Sequence, residues 1–257
     1  MRLGHTLRRP AYAILGLTPL VIFLAYWQVF GTPRDPRFPP PSDWIAALVG
    51  PSQSSVIPAA LGSTMTAFVY ALLISTIVGA ALGLLLGMSR RSSRALGPGL
   101  EVLRVLPPPT LVPVAVLLIG ATTSTTVLVA VFGAIWPVMF NTAAAVGSIP
   151  DVRIEMSRTL GLSQRERITK VVLPSLIPGI TLGVRVAAPL CLVVVLVAEM
   201  LASTGGIGHL LIQAQRSYSA ASVFGLLALV GGMGLVLSLL VFIIERVLAR
   251  NFNSAVR

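Results

Sequence analysis

Long uncharged stretches, separated by short charged clusters, make up most of this chain. Three of them cover residues 10–33, 44–89 and 105–150, and two further apolar runs lie at 175–201 and 222–244. A helix needs about 20 apolar residues to cross the hydrocarbon core of a membrane. The pattern therefore predicts an all-α integral membrane protein with six spans and no separate soluble domain.

The uncharged stretches also predict where each span lies. The first covers residues 11–30, a short interfacial helix lies near 44–50, and the second, long and tilted, covers about 57–88. Spans three and four form a hairpin divided at residues 120–126, and Pro107–Pro109 and Pro113 break span three near its start. Spans five and six cover about 175–201 and 222–244. The glycine-rich segments 97–101 and 203–208 are predicted turns.

Small residues recur every four positions in the second span. Small side chains on one helical face let two backbones approach closely. This face serves either packing within the chain or a seam between two copies. It consists of Ser75, Gly79, Gly83 and Gly87.

Charge decides the orientation. The chain is 55% hydrophobic and 11% charged, with a formal net charge of +11. Its basic residues are 18 Arg and one Lys in clusters beside apolar runs, which is typical of a positive-inside membrane protein and not of a nucleic-acid-binding surface. Placing both termini in the cytoplasm puts 15 basic residues inside and three outside.

That orientation predicts five regions. Residues 1–10 are a cytoplasmic N-terminus, 11–30 the first span, and 31–56 an external loop with the short interfacial helix. Residues 57–250 form the core, which includes a cytoplasmic segment at 148–174, and 251–257 form a cytoplasmic tail.

The segment at 148–174 is unusually polar. Its residues 155–174, EMSRTLGLSQRERITKVVLP, hold six of the 27 charges in the chain. Ser148 is a candidate N-cap, Gly161 a helix stop, and Ser163 with Glu166 a capping box, so the pattern predicts two short helices. Val152, Met156 and Leu160 form an apolar stripe on the first helix. Such an element either docks on a protein or lies on headgroups, and Glu155 and Glu166 favour docking.

The same segment resembles the cytoplasmic signature of the membrane subunits of bacterial ABC importers, E-A-A, three residues, G, nine residues, then I-x-L-P. Here Glu155-Met156-Ser157, Gly161 and Val171-Val172-Leu173-Pro174 stand at those positions, with both alanines and the isoleucine replaced. Further stretches, among them LEVLRVLPPPTLVPVAVLLIG and AEMLASTGGIGHLLIQA, look like the nitrate/sulfonate/taurine branch over residues 60–250. One departure is ATTSTT after Gly120, where the branch commonly has an acidic residue.

The resemblance implies a type I ABC importer permease (MetI-like) fold in a bacterial inner membrane. It also implies a homodimer, two cytoplasmic ATPase subunits, which would carry ATP and magnesium, and an external substrate-binding protein. The chain would then be a transport subunit and not an enzyme, without a cofactor or metal of its own. The residues that would couple it to the ATPase are Val152, Glu155, Met156, Ser157, Arg158, Leu160, Gly161, Leu173 and Pro174.

Few polar groups in the spans are candidates for the translocation path. Arg185 could attract an anion or pair within the subunit, Glu199 fits a structural or binding-protein contact at the outer rim, and the amide of Asn141 could bridge helices. His5 and His209 lie too far apart for a metal site. Residues 203–220 are an external gate, a docking surface or a plain loop.

The chain has no G-x-x-x-x-G-K-[ST] loop, so it has no usual means of binding ATP phosphates. The favoured function is import of a small anionic solute, sulfonate-, taurine- or nitrate-like. The alternatives are import of a thiamine-precursor-like or other small organic solute, or an ion-coupled secondary transporter, which should show inverted repeats or more intramembrane carboxylates. A membrane enzyme should show clustered His, Asp or Glu, and none occurs.

Overall fold

The computed structural model describes residues 9–50 and 53–253, and these residues form helices joined by short turns. A short 3₁₀ turn, Pro108–Leu111, precedes α5, and a π-helical turn, Ile168–Val172, joins α8 to α9. The helices are α1 (Arg9–Phe30), α2 (Pro41–Val49), α3 (Val56–Met88), α4 (Arg90–Val105), α5 (Val112–Ile119), α6 (Thr123–Gly147), α7 (Asp151–Thr159), α8 (Gln164–Arg167), α9 (Leu173–Ala202), α10 (Gly206–Arg216) and α11 (Ala220–Asn253).

Four helical stretches of the described chain are long and apolar enough to cross a membrane. They are Val56–Met88, Thr123–Gly147, Gln164–Ala202 and Ala220–Arg246. A fifth is possible if Arg91–Val105 and Pro108–Ile119, which meet at 85°, count as one broken span. Multi-pass helical architecture is thereby confirmed, whereas the count of six spans and the cytoplasmic termini stay predictions.

The chain divides into two compact units. The first contains residues up to Pro58 together with Leu211–Leu229, and the second contains Ala59–Leu210 and the residues from Val230 onward. Each unit has its own packing, and the predicted coupling segment belongs to the second.

Helix α6 is the centre of the second unit, and α3 packs along it in parallel. A methyl group added at Gly79 would lie 3.0 Å from the Ile135 carbonyl oxygen, and one added at Gly87 would lie 2.5 Å from Val146 Cβ. The three glycines of the stripe on α3 therefore pack against α6 within the chain, because an added side chain would crowd α6 at each of them.

Helix α9 packs on α6 in the opposite direction, again through glycines. A methyl group at Gly183 would lie 2.8 Å from Val138 Cα, and one at Gly179 would lie 2.9 Å from the Asn141 carbonyl oxygen. Gly179 and Gly183 are four residues apart. The four-residue spacing that predicted a close-packing face on α3 therefore occurs in α9 as well. Helix α11 in turn runs antiparallel to α9, with Gly234 against Leu192.

One sequence-based prediction for residues 90–120 is wrong and another is confirmed. Gly97, Pro98 and Gly99 do not form a turn, because they lie inside the 16-residue helix α4, which the hydroxyl of Ser89 caps by accepting a hydrogen bond from Ser92 N. The predicted break of span three at the prolines is present. After that break the span consists of the 3₁₀ turn and the eight-residue helix α5.

The first unit is held together by aromatic side chains. The rings of Trp27, Trp44 and Phe224 lie with centroids 4.9–5.3 Å apart, and Gly225 packs against the Trp44 carbonyl oxygen. Trp44 also donates its indole N–H to the carbonyl of Pro39 at 2.8 Å. The predicted short helix near 44–50 is therefore confirmed as α2, with a fixed position on α1.

The loop between α1 and α2 is ordered by side-chain-to-backbone hydrogen bonds. Arg34 N donates to Asp43 Oδ2 at 2.8 Å, and the N–H groups of Arg37 and Phe38 donate to Asp35 Oδ1. These two donors hold the pKa of the Asp35 carboxyl below its usual value. The Pro-rich sequence predicted an extended loop, and the carboxylates give it one defined conformation.

Candidate functional site

The apolar stripe predicted on the polar segment is present on α7, and no described part of the chain covers it. Val152, Met156 and Leu160 are 65%, 59% and 74% exposed. Asp151 lies in the first turn of this helix and Arg158 in the last, where each complements the helix dipole. The opposite side carries Ser157, which is buried and donates its hydroxyl to the Ile154 carbonyl at 2.6 Å. One side of α7 is thus packed and the other is available to a partner.

Helix α7 ends in a Schellman motif, which fixes the direction in which the chain leaves it. Gly161 has φ +71°, its N–H donates to the Arg158 carbonyl at 2.9 Å, and Leu162 N donates to the Ser157 carbonyl at 3.1 Å. The predicted helix stop at Gly161 is confirmed. Since an added methyl group would meet nothing within 4 Å, backbone conformation alone selects glycine there.

The second half of the segment continues into the membrane helix without a gap. Ser163 Oγ accepts from Glu166 N and Glu166 accepts from Ser163 N, so the predicted capping box is confirmed. A π-helical turn follows, in which Leu173 N donates to the Ile168 carbonyl, immediately before Pro174, which has no N–H to donate. The helical stretch from Gln164 to Ala202 is 39 residues long.

One side-chain bond fastens α7 to this long stretch. Arg153 Nη1 donates to Ser175 Oγ at 3.1 Å, and Ser175 Oγ donates to the Val171 carbonyl at 2.7 Å. Glu155 and Arg158 remain exposed beside the stripe, and Leu173 is 42% exposed. The predicted coupling residues therefore lie on one ordered element, with an exposed patch and a direct connection to α9.

The predicted N-cap at Ser148 is wrong. Ser148 has helical dihedral angles and ends α6. Its N–H donates a hydrogen bond to the Ala144 carbonyl, and its hydroxyl donates one to the Ala145 carbonyl. Pro150 is extended and directly precedes α7. A serine can cap the start of one helix or close the end of another, and the residues around Ser148 do not distinguish these cases.

A buried polar cluster lies at the other end of the second unit, and we call it the clasp. Glu199 is 2% exposed, and its Oε2 accepts from Thr64 Oγ1 and from Gly208 N, both at 2.9 Å. Thr64 Oγ1 accepts in turn from Ile207 N at 2.8 Å. The clasp therefore ties the end of α9 and the start of α10 to α3, and Glu199 has a structural position.

The turn that leads into α10 depends on unusual backbone angles. Ser203, Gly205 and Gly206 have positive φ, and a methyl group on Gly206 would collide with the Glu199 carboxylate. The predicted turn at 203–208 is confirmed for residues 203–205, whereas residues 206–208 already belong to α10. Sequence reasoning missed Thr64 and Gly208 as partners of Glu199, since nothing in the sequence shows which distant groups meet a buried carboxylate.

Two other candidates for the path make contacts within the chain. Arg185 Nη1 lies 3.4 Å from Glu245 Oε2, and its guanidinium lies 5.6 Å from the centre of the Phe242 ring. Asn141 Nδ2 donates to the Pro137 carbonyl at 2.8 Å, one turn earlier in its own helix. Arg185 thus takes the pairing alternative, and this bond of Asn141 does not bridge helices.

A groove of about 420 Å³ that the sequence did not predict opens between α3 and α6. Apolar side chains of both helices line most of it, and Tyr70, Thr123 and Ser124 add hydroxyl groups, whereas the hydroxyl of Thr66 already donates to the Gly62 carbonyl at 2.7 Å. Hydroxyl groups can donate hydrogen bonds to an oxyanion without carrying a charge. The groove is therefore a further candidate for a surface that meets solute.

The sequence profile of the family described as "Binding-protein-dependent transport system inner membrane component" matches residues 75–254, which include α6, the polar segment and α9. The chain belongs to this family. Its signature segment is thus part of an inner-membrane transport component.

Across residues 9–50 and 53–253, no group of three or more His, Cys, Asp or Glu that could hold a metal ion occurs.

Several members of this family are similar to the chain over most of its length. The nitrate import permease protein NrtB of Synechococcus elongatus is 30% identical over 90% of this chain and 88% of the relative. The SsuC protein of Bacillus subtilis, named for aliphatic sulfonate transport, is 28% identical over 93% and 88%. The bicarbonate transport system permease protein CmpB of Synechococcus elongatus is 27% identical over 93% and 90%. These relatives are transport permeases, and the predicted family and branch are confirmed.

A similar solved structure supports the fold. The chain matches a chain of the MetNI methionine ABC transporter in an inward-facing conformation, with a TM-score of 0.70 and 17% identity, over 78% of this chain and 99% of that chain. At this level of identity the similarity establishes a MetI-like helical arrangement and nothing about solute.

Proposed function

We propose that this family member is the membrane-spanning permease subunit of an ATP-driven ABC importer in the bacterial cytoplasmic membrane. It would work as a homodimer with two ATPase subunits and an external binding protein. Its cargo would be a small anion of the nitrate, sulfonate or bicarbonate kind. The observation that carries this proposal is the exposed stripe of α7 on an element continuous with α9.

The physical argument concerns how force reaches the spans. An ATPase can move membrane helices only through a link that does not bend under load, and the link must have a surface to hold. Helix α7 offers Val152, Met156 and Leu160 as that surface. The Schellman motif, the capping box and the bond from Arg153 to Ser175 make the link stiff. ATP and magnesium would be bound by the ATPase subunits.

Two observations support an anionic cargo. Relatives named for nitrate, aliphatic sulfonates and bicarbonate all handle oxyanions. The groove between α3 and α6 offers hydroxyl donors without formal charge, which suit an anion that must also leave. A thiamine-precursor-like solute or an ion-coupled carrier has no comparable support among these observations.

The test is uptake of nitrate, taurine and bicarbonate into liposomes that contain the permease and its ATPase, with the binding protein outside. We expect Glu155→Lys and Gly161→Pro each to lower uptake of the transported anion about tenfold or more. Reversing the charge of Glu155 in a desolvated contact costs several kcal/mol, and proline cannot adopt the positive φ of Gly161. ATP hydrolysis should become independent of solute. Both variants should still insert into the membrane.

The matched control is Glu101→Lys, which makes the same charge change on an exposed side chain of α4. It should leave uptake unchanged. Normal uptake by both coupling variants, at normal expression, would refute the coupling role. Uptake without any ATPase would refute the importer itself.

A further inference from the structure

We propose that α4 lies in the lipid headgroup layer, at the end of the bundle that carries α7, and binds the phosphodiester groups of anionic phospholipids through Arg91 and Arg94. Its apolar face would enter the acyl region beneath. The inference concerns a lipid site and does not depend on the transported solute or on the ATPase.

The position of α4 follows from the break at the prolines. The helix meets the stretch Pro108–Ile119 at 85°, and α5 within that stretch packs beside α6 as part of the membrane bundle. A helix that turns by nearly a right angle from a membrane segment runs close to the membrane plane. Because α3 and α6 are parallel, α4 follows the end of α3 at the same end of the bundle where α7 follows α6.

One face of α4 is apolar and partly uncovered. Ser92, Leu96, Leu100 and Leu103 follow each other at helical spacing and share a face. Leu100 packs against the cluster formed by Leu86, Trp136 and Met139. Leu96 and Leu103 are 47% and 44% exposed. The helix therefore packs on the bundle through Leu100, and the exposed parts of Leu96 and Leu103 are left for another apolar surface to cover.

The other face carries positive charge that no described carboxylate neutralises. Among the described residues, Arg104 pairs with Glu101 at 3.2 Å and lies 5.1 Å from the centre of the Phe140 ring. Arg91 and Arg94 are exposed, and no described carboxylate lies within 4.0 Å of either. Basic side chains in the first turns of a helix oppose its dipole, so this arrangement favours an external anion.

These features favour lipid over a protein partner. A helix with apolar side chains on one face and basic ones on the other, joined at both ends to membrane segments, is typical of an interfacial helix. The sequence of α4 contains four arginines and one glutamate, whereas α7 carries mixed charges beside its exposed stripe. A phosphodiester layer supplies both the negative charge and the acyl chains that α4 lacks.

The test places a fluorescent reporter on α4. The full-length Leu103→Cys chain, in a Cys191→Ala background, is labelled with bimane and reconstituted in vesicles. Phosphatidylcholine and phosphatidylglycerol with brominated acyl chains serve as quenchers, and aqueous iodide reports exposure to water. We expect brominated lipid to quench strongly and iodide weakly. Phosphatidylglycerol should be preferred roughly fivefold to thirtyfold, from the usual contribution of one or two arginines near an anionic surface.

Neutralising the two arginines separates charge from apolar insertion. Arg91→Gln/Arg94→Gln should bring the preference for phosphatidylglycerol close to one, while quenching by brominated phosphatidylcholine persists. The control Arg246→Gln/Arg250→Gln removes the same charge from α11 and should leave the preference intact. Equal quenching by brominated phosphatidylcholine and brominated phosphatidylglycerol in the parent would overturn the proposal. An equal loss of the preference for phosphatidylglycerol in the Arg246→Gln/Arg250→Gln control would overturn it too. Protection of position 103 from both lipids and from iodide would indicate protein cover instead, and would overturn it as well.

Discussion

Gly161 shows how a single backbone conformation sets the geometry of the polar segment. At φ +71° an L-amino acid other than glycine is strained by roughly 1–2 kcal/mol, and asparagine less than alanine. We expect Gly161→Ala to speed hydrogen exchange of the Leu162 amide about tenfold, and Gly161→Asn to have a smaller effect. Hydrogen exchange measured by mass spectrometry checks this order.

Gly97→Ala is the matched control for that prediction. Gly97 lies inside α4, where an added methyl group meets nothing within 4 Å. Alanine should stabilise that helix by about 0.5–1 kcal/mol because it loses less conformational freedom on folding. Gly97→Ala should therefore slow hydrogen exchange within α4. If Gly161→Ala likewise slowed exchange of the Leu162 amide, the left-handed conformation would not be what selects glycine at position 161.

Glu199 is the residue on which the clasp depends. Glu199→Ala would leave Thr64 Oγ1 and Gly208 N without their acceptor, at a cost of roughly 1–3 kcal/mol for each buried donor. We expect the melting temperature in detergent to fall by several degrees. Glu199→Gln keeps one acceptor oxygen, so its melting temperature should fall less than that of Glu199→Ala.

Glu101→Ala provides the comparison, since among the described residues this exposed carboxylate pairs with Arg104 on its own helix. Surface pairs of this kind contribute about 0–1 kcal/mol, so its melting temperature should stay close to that of the parent. An equal drop for Glu101→Ala and Glu199→Ala would show that burial of the clasp does not matter.

At the scale of helices, the close packing of α3 on α6 depends on the stripe of small residues. A methyl group at Gly83 would collide with the Met139 carbonyl oxygen and lie 2.7 Å from Thr142 Cβ. We expect Gly83→Ala to destabilise the chain by about 1–3 kcal/mol, the usual cost of overpacking. Thermal unfolding in detergent measures this effect.

Gly62→Ala is the control in the same helix. Nothing lies within 4 Å of a methyl group at this position, so the substitution should be neutral or stabilising by about 0.5–1 kcal/mol. A destabilised Gly62→Ala alongside a normal Gly83→Ala would contradict the packing of α3 on α6.

For the whole molecule, the orientation in the membrane is the prediction to test. Leu160→Cys, on the exposed stripe of α7, should react with an impermeant maleimide only from the cytoplasmic side. Ala121→Cys, in the exposed turn between α5 and α6, should react only from the outside. The parent chain is the control, because its one cysteine, Cys191, is fully buried. Labelling of both positions from one side would refute the proposed orientation.

The sequence by itself determined the features that are written into neighbouring residues. Uncharged runs located the long helices α3, α6, α9 and α11, and four-residue spacing located the stripe on α3. The capping box at Ser163 and the stop at Gly161 were also readable, since each uses partners within a few positions. Local hydrogen bonds and helical periodicity need no knowledge of the rest of the chain.

Only the tertiary structure decided which distant groups meet. It placed Glu199 against Thr64, Arg185 against Glu245, and the stripe of α3 against α6 within one chain. It also kept Gly97 and Pro98 helical, with Leu100 packed on the cluster around Trp136. The physical reason is that burial and packing depend on residues far apart in sequence, and these can override a local preference for a turn.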